Sequence, residues 1–184
     1  MSNESKRRIV VEIGYGAQPF ISLPTLNKEI YVGIEKQPKQ GKGSELRKAL
    51  DRIARKDIQE GTALIKALST SFPVAAIEAD ARSLPFKNAS VDRIILHDVL
   101  NDPDTRQPHK LVAEAFRVLK PGGRLFVREK YGGTLLGGKK ARACLKKLFR
   151  QAPQNEVRGY EAKLRNWRPG KAVGQVHVFQ KPLK

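Results

Sequence analysis

Short apolar runs alternate with amphipathic segments along most of the chain. Each run is four to six residues long, is rich in Val, Ile, Leu or Ala, and ends at glycine or at polar residues. Such runs are typical of strands buried inside a parallel sheet. They lie at 9–13, 30–35, 74–79, 93–96 and 124–128.

Two of the intervening segments have helical periodicity. Residues 111–119 place Leu111, Ala115 and Val118 on one side, and the Lys120-Pro121-Gly122-Gly123 turn ends that helix. Residues 139–150 form a basic helix with its apolar side chains facing inward. We also expect a helix that begins at Ser44, and two closing strands near 157–164 and 173–180 joined by the turn at 168–171.

This alternation predicts an α/β fold, a Rossmann-like doubly wound sheet that is mainly parallel. We expect seven strands, of which the last is antiparallel because its connection is short. One domain over residues 1–184 suits a chain of this length. Within it we distinguish a charged helical insertion at 36–72 and a basic C-terminal part at 139–184.

The charge of the chain adds a functional expectation. The formal net charge is +18, and residues 139–184 contain 13 basic and two acidic side chains. A basic surface of this kind favours a polyanionic partner such as RNA or a ribonucleoprotein, because lysine and arginine neutralise phosphates. A solvated face that only aids solubility, or an anionic lipid partner, remains an alternative.

Cysteine and histidine are scarce. Cys144 is the only cysteine and there are three histidines, so we predict no intrachain disulfide and no metal site. No run is long and apolar enough for a membrane span, and no signal segment precedes the first strand. We therefore expect a cytoplasmic protein.

A glycine loop follows the first predicted strand. Gly14 and Gly16 allow a sharp turn close to a ligand, and Glu35 lies 21 residues after Gly14, where a carboxylate can accept hydrogen bonds from ribose. These features alone leave a nicotinamide cofactor and a methyl donor both open. Pro19, at the third glycine position of the dinucleotide motif, argues against the nicotinamide cofactor.

An ordered set of motifs resembles the class I S-adenosylmethionine-dependent methyltransferases, and most closely the subgroup that includes quinone and sterol methyltransferases. The resemblance covers residues 9–128. Its motifs are Glu12–Gly16, Gly33–Glu35, Asp80–Phe86, Ser90–Ile95 and Glu114–Leu125.

The resemblance implies S-adenosylmethionine as the methyl donor, and it implies roles for residues at the ends of the strands. The cofactor-binding residues would be Glu12, Gly14, Tyr15 and Gly16 near the methionine part, Glu35 at the ribose, Asp80 and the Ala81 N–H at the adenine, and His97 between donor and acceptor. Asp98 is the first candidate for a catalytic base and His97 the second, each needed only if the acceptor must lose a proton.

Gln18 occupies the third glycine of the family's usual loop, which motivates the non-catalytic alternative given below. The chain begins close to its first strand, without the N-terminal helices that often cover the donor in this family. We therefore expect a protein partner or a second copy to cover the donor site. Three functions follow from the sequence: a methyltransferase acting on RNA or a ribonucleoprotein, a non-catalytic RNA- or ribosome-binding module with the same fold, and a small-molecule methyltransferase.

Overall fold

The computed structural model describes residues 8–14, 29–35, 74–130, 137–167 and 172–183. In these residues there are seven strands and three helices. In chain order they are β1 (Arg8–Ile13), β2 (Glu29–Glu35), β3 (Val74–Glu78), β4 (Val91–His97), α1 (Pro108–Val118), β5 (Leu119–Glu129), α2 (Gly138–Leu148), β6 (Arg150–Gln151), α3 (Gln154–Trp167) and β7 (Gln175–Gln180).

The strands form one sheet in the order β3-β2-β1-β4-β5-β7-β6. The first five strands in this order are parallel, and β7 runs antiparallel to both β5 and β6. The predicted fold class is confirmed: a mainly parallel sheet whose last strand is antiparallel. The strand order reverses at β1, which has β2 on one side and β4 on the other. Sheets of this kind bind ligands beyond the carboxyl ends of the strands at such a reversal. We call this end of the sheet the carboxyl edge.

Two layers of helix cover the described part of the sheet. On one face, α1 and α2 pack their apolar sides into the main core, with Leu111, Val112, Ala115, Ala141 and Leu145 against the β1, β4 and β5 side chains. On the other face, α3 forms a smaller core with β5 and β7. The sequence has the period that each layer requires: alternate strand residues face opposite layers, and the helices are apolar at three- and four-residue spacings.

One predicted strand is wrong. Residues 157–164 were expected to be extended, but they belong to helix α3. Val157, Tyr160 and Leu164 are the buried residues of this helix, and they are separated by three and four positions, which is the helical period. The antiparallel partners of β7 are instead β5, over six residue pairs, and the two-residue strand β6.

The charged insertion predicted at 36–72 lies outside the described residues, as does the helix expected to begin at Ser44. Among the helices that the structure describes, none has the length and apolar character needed to cross a membrane.

Candidate active site

The turn after β1 has no room for a side chain. Gly14 adopts a positive φ of 69°, and its N–H donates to the Ile34 carbonyl at the end of β2. A Cβ added at position 14 would lie 2.8 Å from Val99 Cγ2. Both the left-handed backbone conformation and the space taken by Val99 therefore require glycine at this position.

A buried polar network lies directly below this turn. Glu12 is 1% exposed, accepts a hydrogen bond from the Tyr31 hydroxyl, and has Oε1 3.4 Å from His97 Nδ1. On its other side, His97 Nε2 is hydrogen-bonded to the hydroxyl of Tyr160 in α3. Burial, and secondarily the charge of Glu12, raises the pKa of Tyr160 well above its ordinary value. The Tyr160 hydroxyl therefore stays protonated and shares a hydrogen bond with His97 Nε2.

The register of the sheet brings this network together. Glu12 pairs with Ile95 of β4, two residues before His97, so both side chains project from the same face of neighbouring parallel strands. Tyr31 of β2 projects from that face as well, because its register partner is Val10 of β1. The network connects β2, β1, β4 and α3, and it holds the carboxyl ends of the central strands at fixed spacing.

Asp98 follows β4 and has a positive φ of 57°. Its Oδ2 accepts a hydrogen bond from Arg128 Nη1 at 2.6 Å and its Oδ1 accepts one from the Lys130 N–H at 2.6 Å. Arg128 is buried, whereas the Asp98 side chain is 34% exposed. A solvent-accessible carboxylate is thus fixed in position at the carboxyl edge by a buried cation.

Asp80 lies two residues beyond β3, and its carboxylate contacts Arg82. The Arg82 N–H donates to Oδ1 at 2.9 Å, and Nε lies within 2.9 and 3.0 Å of the two carboxylate oxygens. This hydrogen bonding raises the pKa of Arg82. Ala81 packs partly buried against the main core. A ligand that uses Asp80 must share its carboxylate with Arg82.

Two residues of α1 hold the segment that follows Ala81. Glu114 Oε1 accepts a hydrogen bond from the Leu84 N–H at 2.7 Å, and Arg117 donates to the carbonyls of Leu84 and Phe86. The two side chains also pair with each other, and this hydrogen bond lowers the pKa of Glu114. Both residues belong to the motif at 114–125, but sequence reasoning assigned them no role. Their three-residue spacing on a predicted helix could have indicated that the two side chains pair.

Glu129, at the end of β5, is a third residue that sequence reasoning missed. It is buried, and its carboxylate accepts hydrogen bonds from the N–H groups of Leu100 at 2.8 Å and Asn101 at 3.4 Å. Burial raises the pKa of Glu129 to about 7, and the nearby charge of Asp98 adds to the shift. Glu129 fixes the loop after β4, whose Val99 contacts the Gly14 turn. No local pattern in the sequence marks this contact.

Comparison with known protein families decides the identity of the fold. A family model described as "Methyltransferase domain" matches residues 33–127, slightly more than half of the chain. The match begins in β2 and ends in β5, and it includes Asp80, His97 and Asp98. The chain belongs to the methyltransferase-domain family.

Solved structures agree with this assignment at the level of the fold. The N-methyltransferase NodS from Bradyrhizobium japonicum WM9 has a TM-score of 0.58 and 14% identity, covering 95% of this chain and 86% of that chain. The aminoglycoside resistance methyltransferase NpmB1 has a TM-score of 0.56 and 13% identity, covering 95% and 87%. The [4+2]-cyclase SpnF has a TM-score of 0.55 and 17% identity, covering 97% and 76%. The search of curated proteins gives no significant match.

The methyltransferase fold is therefore that of the class I S-adenosylmethionine-dependent enzymes, as the motifs predicted. S-adenosylmethionine is the cofactor of this family. Of the residues predicted to bind it, the structure brings Glu12, Gly14 and His97 to the carboxyl edge of β1 and β4. Asp80 and Ala81 follow β3 on the same edge.

Of the remaining predicted site residues, only the backbone of Glu35 belongs to the described part of the chain. Tyr15 and Gly16 lie outside the described residues. Glu35 ends β2 on the carboxyl edge, and its side chain lies outside the described part. In the described ranges, no three His, Cys, Asp or Glu side chains are grouped as metal ligands.

Proposed function

We propose that this protein transfers a methyl group from S-adenosylmethionine to RNA or to a ribonucleoprotein, and that it works as a single cytoplasmic domain. The observation that carries the proposal is the Gly14 turn, where the sheet reverses and where a side chain would collide with Val99. The positive φ of Gly14 lets the chain turn sharply at the carboxyl end of β1, next to the reversal of strand order where sheets of this kind bind their ligands.

The residues at this edge fit the donor. The turn that begins at Gly14 would hold the methionine part, and the Asp80 carboxylate would accept a hydrogen bond from the adenine amino group while it stays paired with Arg82. When bound, the donor supplies a methyl group on a positively charged sulfur, so the acceptor's lone pair forms the new bond as the carbon–sulfur bond breaks toward sulfur.

The chain itself then has two tasks, orientation and proton removal. The Glu12–His97–Tyr160 network holds the ends of β1 and β4, and Glu129 holds the loop after β4, so the edge is preorganised before the acceptor arrives. Asp98 is the group we propose for removing a proton, because its carboxylate is both fixed by Arg128 and accessible to solvent. His97, with both ring nitrogens engaged, is proposed as a positioning residue that can act only if it gives up one contact.

A labelling experiment tests the acceptor. The full chain is incubated with S-adenosylmethionine carrying a labelled methyl group and with total RNA, ribosomal particles or a small-molecule extract, in separate reactions. We expect label in the RNA or in the ribosomal particles, and ribonuclease should release it. Label that appears only in small molecules would contradict the RNA acceptor while leaving methyl transfer intact.

A second candidate function is a non-catalytic RNA-binding module with a methyltransferase fold. The contact between Asp80 and Arg82 favours it, because this ion pair already occupies the carboxylate that the adenine would use. The two candidates differ in donor binding: the module should bind RNA and give no heat with S-adenosylmethionine at millimolar concentration.

The proposal includes a protein partner or a second copy over the donor site. A complex between the Haloferax volcanii Trm112 methyltransferase activator and a protein described as a methyltransferase has a TM-score of 0.53 and 17% identity to this chain, covering 95% of it and 82% of the matched chain. This similarity supports looking for such a partner. Size-exclusion chromatography with light scattering, with and without donor, would show whether a second copy binds.

A further inference from the structure

The exposed side of helix α2 is cationic apart from one alanine. Its exposed basic residues are Lys139, Lys140, Arg142, Lys146 and Lys147, and the only other exposed residue of the helix is Ala143. Helix α2 contains no aspartate or glutamate. We call these five side chains the basic α2 face.

The core fixes the direction in which this face points. Ala141 and Leu145 are buried in the main cluster, with Cys144 and Leu148 packed partly buried beside them. At 100° per residue, the five cations and Ala143 occupy roughly 160° of the helix surface, opposite those four residues. Rotating the cations away would expose the apolar side of α2, so they remain presented to solvent.

The basic α2 face differs in its partners from the cations that lie along the strands and on α1. Arg93, Arg117, Arg124 and Arg128 each form an ion pair with a carboxylate. Within the described ranges, none of the five α2 cations lies at salt-bridge distance from an acidic side chain. Their positive charge is therefore available to an external anion.

The position of α2 links this face to the candidate active site. The helix begins at the carboxyl edge, where the Gly137 N–H donates to Asn101 Oδ1 at 2.8 Å in the loop after β4. From there its 11 residues extend along the sheet for about 16 Å, at 1.5 Å per residue. A molecule bound along α2 thus reaches the edge that carries Gly14 and Asp98.

The basic α2 face suits a phosphate backbone better than a membrane surface. Lys139, Arg142 and Lys146 follow one another at spacings of three and four residues, which places neighbouring cations roughly 5–6 Å apart at their Cβ atoms and suits a regular series of phosphates. Helices that bind membranes insert an apolar side into the lipid. The apolar side of α2 is buried in the core instead.

We infer that the basic α2 face docks the phosphate backbone of RNA and holds it beside the carboxyl edge of the sheet. This inference rests on the proposed RNA acceptor and adds the surface that would bind it. It predicts binding with little dependence on base sequence, since lysine and arginine contacts to phosphates carry no sequence information.

Two charge-matched double variants of the full chain test the inference. Lys146→Gln with Lys147→Gln removes two cations from α2, and Arg158→Gln with Lys163→Gln removes two exposed cations from α3, on the opposite face of the sheet. Affinity for a fluorescent single-stranded RNA is measured across a range of salt concentrations. We expect the α2 variant to lose about tenfold at low salt and to lower the salt slope by about 1.4, and the α3 variant to lose less than about twofold.

Equal losses in the two variants, or no loss in the α2 variant, would overturn the inference. Displacement of the RNA by polyglutamate at the same charge concentration would also overturn it, because the face would then bind any polyanion and would not favour a phosphate backbone. Donor titration and thermal unfolding of both variants would show whether each variant still folds and binds the donor. A failed docking surface is thereby distinguished from a failure of the proposed function. Methyl transfer to RNA that is unchanged in the α2 variant would refute this docking surface and leave the activity standing.

Discussion

The two ends of β4 carry aspartates that are held in nearly the same way. Asp92, at the amino end, accepts hydrogen bonds from Lys120 Nζ and from the Ile9 N–H. Asp98, past the carboxyl end, accepts hydrogen bonds from Arg128 and from the Lys130 N–H. Each carboxylate thus has one cation and one backbone donor.

The surroundings of the two carboxylates differ. The amino edge around Asp92 is a cleft of about 450 Å³ lined by ion-paired side chains that include Arg93 and Arg124. The carboxyl edge around Asp98 contains the Gly14 turn, the loop held by Glu129 and the start of α2. A similar pair of contacts is structural at the amino edge and, in our proposal, functional at the carboxyl edge. The contacts of a single carboxylate therefore do not identify a functional site.

The largest expected effect comes from Gly14→Ala. The new Cβ would occupy a left-handed backbone conformation and meet Val99 Cγ2, so we expect stability to fall by about 1–3 kcal/mol and donor affinity to fall beyond measurement. Gly159→Ala is the matched control, because nothing lies within 4 Å of its Cβ in α3. It should raise stability by up to about 1 kcal/mol and leave donor binding unchanged. Equal effects of the two variants on donor binding would remove the special role of Gly14.

A smaller effect is expected from the aspartate pair itself. Asp98→Asn and Asp92→Asn each weaken one cation contact, and both should lower the free energy of unfolding by about 1–2 kcal/mol. Only Asp98→Asn should lower the rate of methyl transfer, by about tenfold or more if the acceptor must lose a proton. Single-turnover rates measured across pH would show this. Similar rates in the two variants would reduce Asp98 to a structural residue.

The smallest effect on activity, but the clearest dependence on pH, should come from Glu129. Its pKa is raised from 4.5 to about 7 in the folded protein, so the protonated form is favoured by folding. The associated stability is fully present below about pH 4.5 and is lost as pH rises through about 7. Relative to Glu129→Gln, the wild-type protein should lose about 3 kcal/mol between these limits. Urea unfolding at several pH values measures the free energy of unfolding of both proteins. If this free energy changed with pH in the same way in both, the raised pKa of Glu129 would be contradicted.

The central strands could be predicted from sequence because their signals are local. The β-branched runs of β1, β2 and β4 end at glycine or polar residues, and the period of α1 and α2 is visible in a single window. Residues 157–164 show the limit, since Val157 and Leu164 fit an apolar strand until the three- and four-residue spacing around Tyr160 is counted.

The site could be predicted only in part, for a different physical reason. The motif order placed Glu12, Gly14, Asp80 and His97 on one edge because parallel strands end together. Partners of buried charges are not local: Arg128 reaches Asp98 across 30 positions, and Glu129 reaches Leu100 across 29. These contacts depend on the register of β4 and β5, which the sequence pattern does not specify.

Isothermal titration of the full chain with S-adenosylmethionine and with its demethylated product is the most direct test of the donor site. The account predicts one site per chain with a dissociation constant well below millimolar, abolished by Gly14→Ala and unchanged by Asp92→Asn. Absence of binding at millimolar concentrations of both compounds, in protein that is folded and binds RNA, would contradict it.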